Sequence, residues 1–154
     1  MLYSYTEYFN MFIISVEGNI GSGKSTFLDM LKMKYANNQD IVFLDEPLDA
    51  WSKITDENGT TMLEKFYNDK EKHSFAFQMM AYISRLQRLQ ESFETAKKEN
   101  YDLLICERSL HTDKNVFCKM LYDEGKIDEF GYQIYNKWFD HFQSFIKKIG
   151  RAHV

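Results

Sequence analysis

The sequence predicts an α/β protein in which a parallel sheet carries helices on both faces. Three observations predict it. Short apolar runs rich in β-branched residues alternate with long stretches of helical periodicity. Each of the three apolar runs ends in polar residues: Glu17-Gly18, Asp45-Glu46 and Glu107-Arg108. A glycine-rich loop follows the first run directly. Strand–helix alternation makes neighbouring strands parallel, because each returns over a crossover helix. Ligands of such sheets gather outside the C-terminal strand ends, so the three polar exits mark one site.

The elements follow in order. FIISV (Phe12–Val16) reads as a buried strand, and the glycine loop follows it. A helix is expected from about Gly23 to Tyr35, with Phe27, Leu28, Leu31 and Tyr35 on its apolar side. IVFL (Ile41–Leu44) reads as a second buried strand, stopped by Pro47, which cannot donate to a ladder. Residues 49–68 read as short helices with a turn at Asn58-Gly59. From about Lys70 to Asn100 the residues Phe75, Met79, Tyr82, Ile83, Leu86, Leu89 and Phe93 recur at helical steps. LLIC (Leu103–Cys106) is the third strand. A helix over Thr112–Glu124 ends at Gly125, and a last one runs from about Asp128 to Lys148 with Phe130, Ile134, Trp138, Phe142 and Phe145 as its stripe.

The 154 residues suffice for one domain with one core. Apolar residues make up 44%, which excludes disorder, and aromatics make up 16%, which suggests thick packing or a stacking pocket. A net charge of −4 opposes a broad nucleic-acid or anionic-membrane footprint, so neither is expected as a partner. Cys106 and Cys118 are not at metal-ligand spacing and read as free buried thiols of a reducing compartment. No apolar run approaches the roughly 18 residues of a membrane span. Residues 1–11 are expected to form a leader, with Met11 as an alternative start; lacking any basic residue, they resemble neither a secretory signal nor an Arg-rich transit peptide. A cytoplasmic location is therefore expected, with a mitochondrial one as the alternative.

GNIGSGKS (Gly18–Ser25) fits G-x-x-x-x-G-K-[ST], between a predicted strand and a predicted helix. The glycines let the backbone of Gly18, Asn19, Ile20, Gly21, Ser22 and Gly23 curl so that its N–H groups face phosphate oxygens. The helix start at Lys24, Ser25 and Thr26 adds its positive end. Lys24 reaches the terminal phosphates, and the Ser25 hydroxyl is a ligand for Mg²⁺. This motif specifies a nucleoside triphosphate and no more.

Glu46 is either a solvated loop carboxylate or a base that takes a proton from an attacking hydroxyl beside the phosphate loop. Glu107-Arg108 is either a loop ion pair or an acid placed to hold Mg²⁺ beside an arginine that forks onto a moving phosphate. In the long helix Gln78, Ala81 and Arg85 stand at i, i+3 and i+7 on one face, where a glutamine can pair with an amide-bearing base edge. Asp113 is a candidate partner for Arg85. Trp51, Tyr67, Phe77 and Phe117 are candidate pocket walls; taken singly, each reads more readily as core packing, and only the constellation argues for a pocket.

Four segments in order, EGNIGSGKST, LDEPLDAW, FYNDKEKHSFAFQMMAYISRLQ and ICERSLHTDKNVF, resemble the deoxynucleoside kinase family, close to its deoxycytidine and deoxyguanosine kinase branch. The resemblance covers about residues 12–148. It implies a three-layer P-loop kinase fold that uses ATP or another triphosphate as donor, Mg²⁺, and a deoxynucleoside as acceptor. It further implies Glu46 as general base on the 5′-hydroxyl, Arg108 at that hydroxyl and the phosphates, and Glu107 on the metal. Tyr67 would bind the sugar 3′-hydroxyl, Gln78 the base edge, Phe77 and Phe117 the base faces, and Ile20 and Trp51 the pocket wall. The Ala81, Arg85 and Asp113 set is similar to that of members accepting deoxycytidine or purine deoxynucleosides. Lys114 stands where many members have arginine.

The family continues with an arginine-rich lid, a further sugar-binding acid and two more strands, so the chain is expected to be a C-terminally truncated piece, nearly inactive alone and a homodimer when full length. Ile149–Val154, IGRAHV, back-translates with one codon choice into a string that looks like a sequencing-adapter read, and 149–154 is expected to be a non-native tail. Two rival readings stand beside this one. A nucleoside monophosphate kinase of the thymidylate type shares the loop and sheet but needs extra basic residues for its acceptor's phosphate. A catalytically inactive kinase-like accessory subunit has no need of Lys24, Ser25, Glu46 and Arg108 together.

Overall fold

A computed structural model describes residues 11–149. Three parallel strands, β1 (Phe12–Val16), β2 (Ile41–Leu44) and β3 (Leu103–Glu107), form a sheet in the order β1-β3-β2. The last strand in sequence is therefore central, and each of its neighbours is reached over a crossover. Val16 pairs with Glu107 and Leu44 with Cys106, so the three strands end level. The residues just past each end, at 17–18, 45–46 and 107–108, thus meet at one edge of the sheet. The expected fold class, α/β with a three-stranded parallel sheet, is what the chain adopts.

The connecting helices are α1 (Lys24–Lys34), α2 (Leu48–Trp51), α3 (Met62–Asn68), α4 (Lys70–Glu99), a single turn α5 (Leu110–Thr112), α6 (Lys119–Asp123) and α7 (Glu129–Ile149). Gly23 caps α1 at φ 83°, a left-handed conformation that residues with a side chain avoid. Thr61 and Glu64 close a capping box on α3. Asp69 caps α4, accepting from Lys72 N–H at 3.1 Å, and Asn100 ends it in the left-handed region. Between α5 and α6 the backbone widens into a π-turn over Asp113–Cys118, where a regular helix from Thr112 to Glu124 was expected.

Two cores result. The larger joins Trp51, Phe66, Phe77, Tyr82, Leu86, Leu121, Tyr135 and Phe139 from α2, α3, α4, α6 and α7. The smaller lies against the sheet and gathers Met11, Ala96 and Leu104. Met11, assigned to the leader by its sequence, is thus core; residues 1–10 and 150–154 lie outside the described residues.

Several burial expectations need correction. β1 is not buried on both faces: Phe12 is 63% and Ile14 51% exposed, while Ile13 on the other face packs against the smaller core. β2 is half-buried throughout. On α1 only Leu28 is buried among the apolar residues, while Phe27 and Tyr35 are exposed. Ile83 on α4 is exposed as well. On α7 the expected stripe of Phe130, Ile134 and Trp138 faces outward, and the adjacent stripe of Gly131, Tyr135 and Phe139 is the buried one. The helix carries two apolar stripes one residue apart, and periodicity cannot choose between them. The side chain of Phe145 lies outside the described residues. Cys118 is buried, but Cys106 is only half-buried.

Candidate active site

The strand ends open into a crevice of about 500 Å³. The phosphate loop lines one end with Ile20, Gly21, Gly23, Lys24, Ser25 and Thr26. Lys24, although charged, is only 7% exposed. Its ammonium donates to the Asn19 carbonyl at 2.8 Å and lies 3.8 Å from a Glu107 carboxylate oxygen. Ser22 N–H donates to the same Asn19 carbonyl at 3.2 Å, which closes the loop. Gly21 at φ 76° makes the turn possible without a Cβ penalty.

At the crevice centre Glu46 Oε1 accepts from Arg85 at 2.6 Å and from Arg108 at 2.9 Å. Arg85 also donates to Asp113 Oδ1 at 2.7 Å and lies over the Trp51 ring at 5.2 Å. One guanidinium from α4 thus ties the exit of β2 to the start of the π-turn. Arg108 reaches from the exit of β3, donates to the Gly18 carbonyl at 3.3 Å, and stacks 4.8 Å from the Phe117 centroid. The two arginines hold Glu46 as an oriented anion, and no described residue donates to its Oε2.

Ser25 Oγ donates to Glu107 Oε2 at 2.9 Å. A hydroxyl at a helix start beside one carboxylate offers hard oxygen donors, a set that suits Mg²⁺ completed by phosphate oxygens and water. Among the described residues no group of three or more His, Cys, Asp or Glu is placed to hold a metal ion.

The other end of the crevice is lined by Trp51, Tyr67, Phe77, Gln78, Ala81, Arg85, Asp113 and Phe117. Every residue expected to bind the acceptor is therefore brought together, with Gln78, Ala81 and Arg85 on one face of α4. Trp51 meets Phe77 edge-on at 5.5 Å, and its indole N–H is anchored on Ser84 Oγ at 2.7 Å. Gln78 Oε1 and Asp113 Oδ2 are buried without a partner among the described residues. Burial pushes the Asp113 carboxyl up to about 6, against the opposing pull of the Arg85 guanidinium. Burial likewise pushes both thiols up to about 12, which leaves Cys106 and Cys118 inert near neutral pH.

Sequence reasoning missed Phe66 and Lys70. Both line the crevice; Phe66 stacks on Phe77 at 4.3 Å and carries the Lys70 ammonium 5.7 Å from its ring. The aromatic pair Phe66-Tyr67 just before α4 was the available signal, and only its exposed member was picked out.

Known proteins resemble this chain. The profile of the family "Deoxynucleoside kinase" matches residues 14–154. A fowlpox virus (strain NVSL) protein described as "Probable deoxycytidine kinase" is 35% identical over 132 residues, covering 84% of this chain and 50% of its own. The mitochondrial deoxyguanosine kinase of Xenopus laevis is 32% identical over 136 residues, covering 81% and 50%. The deoxycytidine kinase of Homo sapiens is 31% identical over 140 residues, covering 82% and 53%. The chain spans about half the length of these relatives.

Proposed function

The chain belongs to the deoxynucleoside kinase family, and from that premise we propose that the full-length protein transfers the γ-phosphoryl group of ATP to the 5′-hydroxyl of a deoxynucleoside, in nucleotide salvage. The observation that carries this reading is the placement of Glu46. Its carboxylate is fixed by Arg85 and Arg108 between the phosphate loop and the aromatic half of the crevice. A nucleoside lying along that half directs its sugar hydroxyl at Glu46.

Glu46 accepts the proton as the 5′-oxygen attacks phosphorus in line. Lys24 exchanges the Asn19 carbonyl for a phosphate oxygen, and Arg108 turns part of its fork onto the transferring group. Ser25 and Glu107 would hold Mg²⁺, which when bound neutralises charge between the terminal phosphates. Tyr67 positions the sugar, Gln78 reads the base edge, and Phe77 and Phe117 close on the base faces. Ala81, Arg85 and Asp113 set a preference for deoxycytidine or a purine deoxynucleoside over thymidine. The exposed stripe of Phe130, Ile134 and Trp138 fits a homodimer. No described helix is long and apolar enough to cross a membrane, and we assign the protein to the cytoplasm.

The experiment is a phosphorylation assay of the full-length chain with ATP and, as separate acceptors, each of the four deoxynucleosides and thymidine monophosphate. Turnover with deoxycytidine or a purine deoxynucleoside is expected; turnover of thymidine monophosphate alone would favour a thymidylate-type kinase, and none at all an inactive accessory role. The 154-residue chain by itself is expected to be nearly inactive in the same assay, since arginines that close over the phosphates are worth about 10³–10⁵ in rate. Glu46→Gln is expected to lower kcat about 10³-fold while nucleoside affinity, read by calorimetry, stays within about threefold. A variant that keeps its turnover overturns the base assignment.

A further inference from the structure

Arg108 is in the left-handed region at φ 64°, one of two described residues other than glycine with positive φ. A long side chain is held in that conformation only where its surroundings over-determine it. What holds it comes from the exit of β1. Arg108 N–H donates to the Val16 carbonyl at 3.1 Å, and the next amide, Ser109 N–H, donates to Glu17 Oε1 at 2.9 Å. Consecutive residues of one strand end thus grip consecutive amides of the other, on either side of the strained residue.

Glu17 is one of the polar strand exits, yet it lines the far side of the sheet edge with Ser109 and His111 and does not line the crevice. Resting on the reading above, we propose that Glu17 is a positioning residue: its carboxylate clamps the Ser109 amide and so holds the left-handed turn that aims the Arg108 guanidinium at Glu46. The cluster around it is consistent with a fixed anion. Burial alone would raise the Glu17 carboxyl, but hydrogen bonds from Thr112, Ser109 and Ser15, with the Ser109 amide, outweigh it and leave the group below its ordinary value. Ser109 in turn caps α5, its hydroxyl accepting from Thr112 N–H at 3.1 Å. The turn at Arg108, the cap of α5 and the phosphate-loop entry therefore share one carboxylate.

The role separates from mere structural support in a double-mutant cycle on the full-length chain. Glu17→Ala is expected to lower kcat about 100-fold, the cost of a group misplaced by about 1 Å, with KM for ATP and nucleoside within about threefold. In an Arg108→Ala background the same substitution is expected to cost less than about twofold, because the group it positions is already gone. Glu17→Gln keeps an acceptor for the Ser109 amide and is expected to stay within about fivefold of the parent. Hydrogen exchange at the Ser109 amide, read by NMR, needs no turnover: protection is expected to fall in Glu17→Ala and to persist in Glu17→Gln. Equal losses in both backgrounds, or unchanged Ser109 protection in Glu17→Ala, overturn the proposal. Lost protection in a chain whose parent phosphorylates no nucleoside would leave the clamp standing and sink the phosphotransfer reading instead.

Discussion

The two ends of the crevice are built by different means. The end we propose for the acceptor is walled by aromatic side chains rooted in the larger core, where Tyr82, Tyr135 and Phe139 are fully buried and Phe66 stacks on Phe77. The phosphate end rests on a three-stranded sheet whose own core is Met11, Ala96 and Leu104, and its side chains are held by charge-assisted hydrogen bonds. Dispersion and area burial are non-directional, so the acceptor end gains rigidity from bulk. The phosphate end gains it from direction: each of Lys24, Glu46, Glu107 and Arg108 is aimed by a named partner. A shape-selecting pocket and a charge-handling one call for these two different solutions.

The comparison breaks most readily at its larger core. Phe139→Ala removes a fully buried ring that packs on Tyr82 and His111. It is expected to cost about 3–5 kcal/mol of stability by chemical denaturation. A loss below about 1 kcal/mol would mean that the aromatic wall is not what holds the acceptor end.

Asp113 belongs to both halves, since it is buried with the aromatics and paired with the arginine that holds Glu46. Its folded pKa, near 6, lies above the ordinary value of 3.8. The folded state therefore binds more protons than the unfolded chain between those values. The contribution to stability is full below the unfolded pKa and declines as pH rises through about 4 to 6. Burial is what raises it; of the charges facing it, Arg85 and Arg108 oppose the rise and Glu46 adds to it. Asp113→Asn is expected to remove this decline, seen as a smaller difference between melting temperatures at pH 4.5 and 6.5 than in the parent, compared at equal ionic strength. An unchanged difference would mean that Asp113 is ionised throughout that window.

The smallest effect is expected at the open edge. Ile14→Lys places a charge on an exposed position of β1 and should change stability by less than about 0.5 kcal/mol while slowing self-association of the 154-residue chain, followed by light scattering. A large loss of stability would show that this face is covered in solution.

Much of the site was legible because its signals are local. The phosphate loop, the acidic strand exits and the i, i+3, i+7 set on α4 each depend on spacing within one element, and strand alternation brings them to one sheet edge. What was not legible depends on neighbours distant in sequence. The outward face of α7 and the half-open β1 reflect which surfaces other elements cover, and a hydrophobic stripe does not carry that information. Phe66 escaped notice beside Tyr67, and Glu17, read only as a strand exit, gave no sign of its part because its partner lies 92 residues away.

The widened turn over Asp113–Cys118 acts as a phase shift in the chain. One additional residue per turn rotates everything after it by about 100° relative to an ordinary α-helix. Asp113, Phe117 and, beyond the turn, Leu121 all line the crevice, while Cys118 turns into the protein interior. Deleting a single residue there would restore regular winding and rotate Leu121 and the rest of α6 away from the crevice, so this short segment tolerates exchange of side chains far better than any change of length.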